Sequence, residues 1–433
     1  MSTEGPTSEA VDKSTFRSLH HRNFRLFFTG QLISQTGTLL TMIAQTLLVL
    51  SMTRSGITLG LLTAFQFGPV LLLGAWAGAV ADRADKRKLL MTVQALAMVQ
   101  SLVLGLVVLA GWATIPVIFG LAAVQGVLTA FDNPARRAFV VEMVPTEDLS
   151  NAVSLNSAVM TGSRVVGPAA AGALVLWVGY GWPFIVDAVS YVAVLIGLFL
   201  MNPSELNRSA PTVKAKGQVR EGLRYIRSVP ELFVPIAMMA IIGTFAFNFS
   251  VTVPLLVAGP LGGSTTTFTL LFSVLSIGSL IGALLTARRT EVTSRQLVVS
   301  AAAFGITMLM LASAPTLPLA FSAAVPLGLA SIAFMTSCTA IVQVLAGPKY
   351  RGRVLAIQGM VFLGSTPIGG PLIGWVSDVA GPRTGIAVGG VACLVAAIYG
   401  ARALHVPARP PQAVDPTVTK EFCLDDEAVS LAD

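Results

Sequence analysis

The chain has 433 residues, of which 54% are hydrophobic and only 11% are charged. Soluble domains carry about 25% charged residues, so a soluble protein of this length could not cover its surface with so few. The composition therefore excludes a soluble enzyme, a nucleic-acid-binding protein and a disordered scaffold. It favours a polytopic helical membrane protein. The three cysteines and three histidines are too dispersed to predict a disulfide framework or a metal site.

Twelve apolar runs are each long enough to cross a bilayer, which takes about 20 residues. They lie near 24–51, 57–81, 89–110, 115–140, 153–178, 182–201, 233–257, 267–287, 296–313, 317–345, 354–377 and 384–404. The sequence thus predicts an all-α membrane protein with twelve transmembrane helices. Its predicted divisions are an N-terminal segment 1–23, a six-helix bundle 24–201, a central loop 202–232 with a basic amphipathic helix at 219–232, a second bundle 233–404 and a disordered tail 405–433.

The basic residues predict how the chain is oriented. Of the 28 Lys and Arg residues, 25 fall on the side of the membrane where the chain begins, and Arg54 and Arg383 fall on the other. The remaining one, Arg164, lies inside a predicted helix. Because cytoplasmic loops carry an excess of Lys and Arg, both termini are predicted to be cytoplasmic. No apolar signal-peptide stretch precedes the first helix, which fits the cytoplasmic (inner) membrane of a bacterium.

An internal repeat relates the two predicted bundles. A shift of 202 residues superimposes Gly162-Ser163 on Gly364-Ser365, Gly167 on Gly369 and Gly172 on Gly374. Because six helices separate each pair, the two copies cross the membrane in the same direction. The pattern predicts two parallel-related six-helix bundles.

A charged motif connects the second and third predicted helices. The stretch from Gly78 to Lys88 resembles the G-x-x-x-D-[RK]-x-G-[RK]-[RK] signature of the major facilitator superfamily, with Asp85 in place of the second glycine. The resemblance implies a fold of two six-helix bundles and a protein that works as a monomer. The charges predict a gating cluster in which Asp82 pairs with a nearby base and latches the two halves. Its members are Asp82, Arg83, Lys86, Arg87 and Arg136, and a solvated basic loop is the alternative.

A second motif lies in the fifth predicted helix. Gly167-Pro168-Ala-Ala-Ala171-Gly172 resembles the G-P-x-x-G-G motif that the superfamily associates with exporters, with Ala171 in place of glycine. A third stretch, Asp132-Asn-Pro-Ala-Arg136-Arg followed by Val-Pro, resembles the branch that holds enterobactin-exporter-like proteins and macrolide and tetracycline efflux pumps. These resemblances imply export, with generic helix packing as the alternative for the glycines.

Two charged residues, Arg164 and Asp187, are predicted to lie deep inside helices. A charge near the bilayer centre costs at least about 2.5–3.5 kcal/mol, so it needs a structural or functional reason. Their predicted depths agree, which suggests that they pair or share a polar cavity and that Arg164 governs coupling or binds an acidic substrate group. A purely structural bridge between helices 5 and 6 is the alternative. The polar residues predicted to line a central cavity are Gln31, Gln35, Gln66, Asn156 and Asn248.

The sequence contains no G-x-x-x-x-G-K-[ST] phosphate loop, so the expected energy source is an ion gradient, a proton gradient by the resemblance. No cofactor and no enzymatic activity are expected. Together these features predict a secondary active transporter that exports small amphipathic molecules, drug-like or siderophore-like, by proton antiport and alternating access. An importer or facilitator of a metabolite and a non-transporting membrane receptor remain the alternatives.

Overall fold

The computed structural model describes residues 16–207, 218–287, 293–347 and 350–404, and the predicted tail and much of the central loop lie outside them. Twelve spans in this part of the chain are long and apolar enough to cross a membrane, which confirms the twelve-helix prediction. The helices are α1 (Arg22–Thr53), α2 (Gly56–Arg83), α3 (Lys86–Leu109), α4 (Ile115–Met143), α5 (Leu149–Val178), α6 (Trp182–Leu200), α7 (Gln218–Ser228), α8 (Pro230–Phe245), α9 (Phe249–Ala258), α10 (Thr265–Ala287), α11 (Ser294–Ser313), α12 (Leu317–Leu345), α13 (Arg351–Ala380) and α14 (Pro382–Leu404).

Each bundle consists of six membrane spans, α1–α6 in the first and α8–α14 in the second, where α8 and α9 together make one span. We call the side at which α1 begins the basic face and the other side the opposite face. Local sequence marks the helix ends. Ser55 accepts from the backbone N–H of Thr58 at the start of α2, and Asp85 accepts from that of Lys88 at the start of α3. Such N-caps satisfy donors that a helix leaves free.

The seventh span is broken, which the apolar run 233–257 does not indicate. α8 ends at Phe245 and α9 begins at Phe249, with Asn248 as the N-cap residue between them. The span also begins at Pro230, earlier than predicted. The amphipathic helix α7 accordingly ends at Ser228 instead of reaching 232. Broken helices are tolerated in membranes where the freed backbone is buried in protein, and Asn248 is 2% exposed.

The two bundles meet closely near the opposite face. On α2, a methyl group added to Gly56 would lie 2.5 Å from the carbonyl oxygen of Gly374 in α13, and one added to Gly60 would overlap the backbone of Gly370. Nearer the basic face on the same two helices, a methyl group added to Gly78 or Gly359 would meet no atom within 4 Å. The halves therefore pack together closely at the opposite face, whereas α2 and α13 leave free space beside Gly78 and Gly359 nearer the basic face.

Candidate functional site

A polar cavity of about 90 Å³ lies inside the first bundle. This volume corresponds to about three water molecules. Residues of five helices (α1, α3, α4, α5 and α6) line it: Gln35, Thr38, Val93, Gln94, Ala97, Gln125, Leu128, Thr129, Asp132, Asn133, Arg136, Met160 and Tyr191. We call it the N-half cavity.

An ion pair between Asp132 and Arg136 forms the charged part of the N-half cavity. The two residues are four apart on α4, so they share one helix face. Gln94 Nε2 of α3 donates to Asp132 Oδ1 at 2.7 Å. The Gln35 amide of α1 lies against Arg136 and, with its oxygen turned to the guanidinium, accepts from Nη2 at 3.1 Å. Residues of three helices, α1, α3 and α4, thus hold one carboxylate and one guanidinium in a mostly buried site.

Several polar atoms around this ion pair have no partner among the described residues, and they belong to Gln31, Gln94, Gln125 and Arg136. Gln31 and Gln94 are each 2% exposed. A buried polar atom without a hydrogen bond costs free energy, so such atoms mark places that bind water or a polar ligand group. The N-half cavity can therefore hold a small polar group beside a charge pair.

Asp132 was not among the sequence-predicted site residues, and the expectation that only Arg164 and Asp187 lie deep inside helices was wrong. α4 continues to Met143 instead of ending near 140, which places Asp132 about 16 Å from the basic-face end of the helix at about 1.5 Å per residue. The four-residue spacing of Asp132 and Arg136 was the feature of the sequence that indicated an ion pair on one helix face. Opposite charges that form an ion pair on one helix can lie at a membrane depth where an unpaired charge would be costly.

Asp187 occupies a separate buried site between α1, α3 and α6. Its Oδ2 accepts from Thr41 Oγ1 at 2.8 Å and from Ser101 Oγ at 2.9 Å, and the residue is 2% exposed. Gly37 of α1 packs against the same carboxylate. Hydroxyl donors from α1 and α3 thus give Asp187 a structural environment. The close approach of α1 requires glycine at position 37.

The structure does not bring Arg164 and Asp187 together. α1 packs between α5 and α6, and its Thr36 contacts Ser163 of α5 at 3.2 Å. Arg164 is exposed, and in the described chain it forms no hydrogen bond or ion pair. Met160, one turn before Arg164 on the same helix face, lines the N-half cavity. Arg164 therefore lies one turn farther from the basic face, on the α5 face that borders this cavity.

The predicted gating cluster is divided among several contacts at the basic face. Lys86 pairs with Glu142 at 2.7 Å, which joins α3 to the end of α4. Arg87 donates to the carbonyl oxygens of Leu198 and Phe199 at the end of α6, where a cation is favourable. Arg136 pairs with Asp132, whereas Asp82 and Arg83 lie in the last turn of α2. Asp85 has φ −63° and caps α3, so the turn needs no glycine there.

The helix-5 glycines make close interhelical contacts. A methyl group on Gly167 would lie 2.8 Å from Cβ of Leu39 in α1, and one on Gly172 would overlap Thr269 of α10 in the other half. Pro168 lies inside α5. Gly172 thus permits a contact between the two bundles near the opposite face.

The predicted cavity residues separate into three groups. Gln31 and Gln35 lie at the N-half cavity, while Gln66 Nε2 donates to Gln45 Oε1 at 2.7 Å between α2 and α1. Asn156 is half-buried on α5. Asn248 is buried at the broken span, donates to the carbonyl oxygen of Thr244 at 2.7 Å and leaves its own oxygen without a partner in the described chain.

Aromatic rings surround this break in the second bundle. Phe247 lies with its ring centroid 5.1 Å from that of Phe304 and 5.3 Å from that of Phe362, both in edge-to-face geometry. Phe249 extends the cluster. Aromatic side chains thus pack around the break in the second bundle, in contrast to the charges and amides of the N-half cavity in the first.

Comparisons with known proteins find that this chain is similar to membrane transporters. A family model described as transmembrane secretion effector matches residues 13–425. The chain is 24% identical to the staphyloferrin A transporter of Staphylococcus aureus over 87% of this chain and 95% of that one. It is 22% identical to macrolide efflux protein A of Streptococcus pyogenes, over 80% and 87%. A bacterial homologue of the human lysosomal transporter Spinster, solved in an inward-facing, occupied conformation, superimposes with a TM-score of 0.69 at 16% identity, covering 90% of this chain and 97% of that one.

Proposed function

Because the chain belongs to the transmembrane secretion effector family of the major facilitator superfamily, we propose that it is a proton-driven exporter of small amphipathic molecules. The observation that carries the proposal is the N-half cavity, in which Asp132 and Arg136 are held with unsatisfied amides inside a membrane-spanning bundle. Intramembrane ionisable residues beside a cavity are typical of substrate and proton pathways. The superfamily prediction is confirmed, whereas direction, coupling ion and substrate are proposals.

The basic face is the cytoplasmic side in this proposal. The 25-to-2 distribution of Lys and Arg between the two faces supports this assignment by the positive-inside rule. Both termini then lie in the cytoplasm of a bacterium, with the protein in its inner membrane and acting as a monomer. Close packing of the halves at the opposite face, with free space beside Gly78 and Gly359 nearer the basic face, supports a conformation open to the cytoplasm, from which an exporter loads its substrate.

Export requires the halves to rock about the site, so that the basic face closes and the opposite face opens. The residues that we assign to gating and coupling are Asp82, Arg83, Lys86, Arg87, Arg136 and Arg164. In this proposal the glycines Gly167 and Gly172 and the proline Pro168 shape α5 at the moving interface. Arg164, exposed and without a partner in the described chain, is the group we assign to an acidic part of the substrate or to coupling.

The substrate class follows from the contrast between the two bundles. The aromatic cluster around Phe247 offers apolar contact area, and the N-half cavity offers charge and amide groups. A ligand site of this kind suits a bulky molecule with an apolar body and a few polar groups. The named relatives, a siderophore transporter and a macrolide efflux protein, fall in the drug-like or siderophore-like class that we propose.

Two intramembrane carboxyl groups are candidates for the coupling proton, and the surroundings favour Asp132. Asp132 shares its cavity with amides and with Arg136, which can stabilise the carboxylate when the proton leaves. Asp187 is enclosed by hydroxyl donors away from the N-half cavity. We therefore assign proton binding to Asp132 and a mainly structural role to Asp187.

Efflux of a panel of amphipathic dyes, antibiotics and siderophores from energised cells tests the proposal, with and without a protonophore and beside the Arg164→Ala variant. We expect protonophore-sensitive efflux that the variant loses. Proton-driven accumulation of the same compounds in right-side-out vesicles would identify an importer instead. Saturable binding without flux in either direction would identify a receptor.

A further inference from the structure

A carboxylate of the second bundle caps a helix of the first. Asp378, near the end of α13, accepts from the backbone N–H of Gly56 at 2.5 Å and from that of Ile57 at 3.0 Å. It also accepts from Ser55 Oγ at 2.8 Å. These donors form the first turn of α2, so one side chain joins the two halves through three hydrogen bonds at the opposite face.

The physical basis of this contact is the free N-terminus of α2. The first N–H groups of a helix have no partner within the helix, and the aligned peptide dipoles place a partial positive charge there. A carboxylate is the side chain that satisfies both features at once. Ser55 caps Thr58 N–H only at 3.4 Å, so Asp378 supplies the closer acceptor for this turn.

The position of Asp378 makes the contact specific to one state. The structure describes every loop that joins two helices at the opposite face, together with the three residues on either side of each loop. Among these residues Asp378 is the only acidic one. The basic residues there are Arg54, which is exposed, and Arg383, which donates to the carbonyl oxygen of Ala312. When the halves part at this face, α13 moves away from α2, and no other carboxylate at this face is available to cap α2.

We propose that Asp378 is the latch of the opposite face: its carboxylate holds α13 to the N-terminus of α2 and so stabilises the conformation open to the basic face. This inference rests on the alternating access in the proposed function. Asp378 is a positioning residue, because it acts on the balance between conformations and touches neither the N-half cavity nor the aromatic cluster. Its removal should favour opening at the opposite face about fivefold, the size of one exposed charge–helix-terminus interaction.

Two distances measured by electron paramagnetic resonance on spin-labelled protein test the latch. α4 and α12 are repeat-related and lie in different halves, so labels at Thr114 and Thr316 report the opposite face and labels at Val141 and Gln343 report the basic face. The background carries Cys338→Ala, Cys393→Ala and Cys423→Ser. In Asp378→Asn, we expect a longer Thr114–Thr316 component and a shorter Val141–Gln343 component, in about fivefold greater proportion than in the parent.

Matched variants keep the test decisive. Asp148→Asn neutralises an aspartate that pairs with Arg17 within the first bundle, and it should leave both distances as in the parent. Ser55→Ala removes one donor and should shift both distances in the same direction as Asp378→Asn but less. Parental distances in Asp378→Asn, or the same distances in Asp378→Asn and Asp148→Asn, overturn the latch. Because substrate and gradient are absent from the measurement, failure of the export assay leaves its outcome unaffected.

Discussion

Lys86 Nζ lies 2.7 Å from Glu142 Oε1, and this ion pair ties the first turn of α3 to the last turn of α4 at the basic face. The two side chains are only 10% and 7% exposed. The pair is therefore shielded from water, and each charge depends on the other. Glu142 also accepts from the backbone N–H of Asn207 through its carbonyl oxygen, so the end of α4 anchors the chain that follows α6.

Replacing Glu142 with Gln should lower the stability of the protein by about 3 kcal/mol, because it leaves the Lys86 ammonium buried without its counter-charge. Thermal unfolding in detergent, followed by tryptophan fluorescence, measures the change. The double variant Lys86→Met/Glu142→Gln should regain much of the loss, since it removes both charges. A melting temperature of Glu142→Gln equal to that of the parent would show that water screens the pair.

Asp132→Asn should abolish proton-driven uphill transport and preserve exchange of substrate across the membrane at equal concentrations. The reason is that an amide cannot carry the proton, whereas it keeps the size and much of the hydrogen bonding to Gln94 and Arg136. Reconstituted vesicles loaded with labelled substrate separate the two activities. Asp187→Asn is the comparison variant, and uphill transport by Asp132→Asn at the parental rate would exclude Asp132 as the proton carrier.

The effects of Arg164→Gln and Asp187→Asn on stability should add to within about 0.5 kcal/mol, because no contact couples the two residues. Arg164→Gln alone should leave the melting temperature unchanged, since Arg164 is exposed and has no partner in the described chain. It should nevertheless lose uphill transport. Thermal unfolding and the vesicle assay on both single variants and the double variant measure this. Transport intact in the double variant would remove both residues from the mechanism.

The sequence predicted the twelve spans and the two-bundle fold because hydropathy, loop charge and repeated glycines are properties of the chain itself. It could not predict the break at Asn248, since the run 233–257 is apolar on both sides of it. Nor could it assign partners to Asp187, because Thr41 and Ser101 lie on other helices and many hydroxyls are equally placed in sequence. Asp378 was missed for the same reason: its three partners are more than 300 positions away.

The glycines of α2 provide a test of the alternating movement, because they differ in surroundings along one helix. Gly60 packs against the backbone of Gly370, whereas Gly78 has no atom within 4 Å of the place where a side chain would begin. In the conformation described, a side chain at position 78 would begin in free space, and a leucine at position 60 would force the bundles apart at the opposite face.

Gly78→Leu should therefore leave the melting temperature unchanged and still stop transport, because closing the basic face would bring the new side chain against the second bundle. Gly60→Leu should lengthen the distance between labels at Thr114 and Thr316. Gly120→Leu, at another position with free space on α4, is the control for added bulk and should transport normally. Parental transport by Gly78→Leu would mean that α2 does not approach the second bundle at the basic face during the cycle.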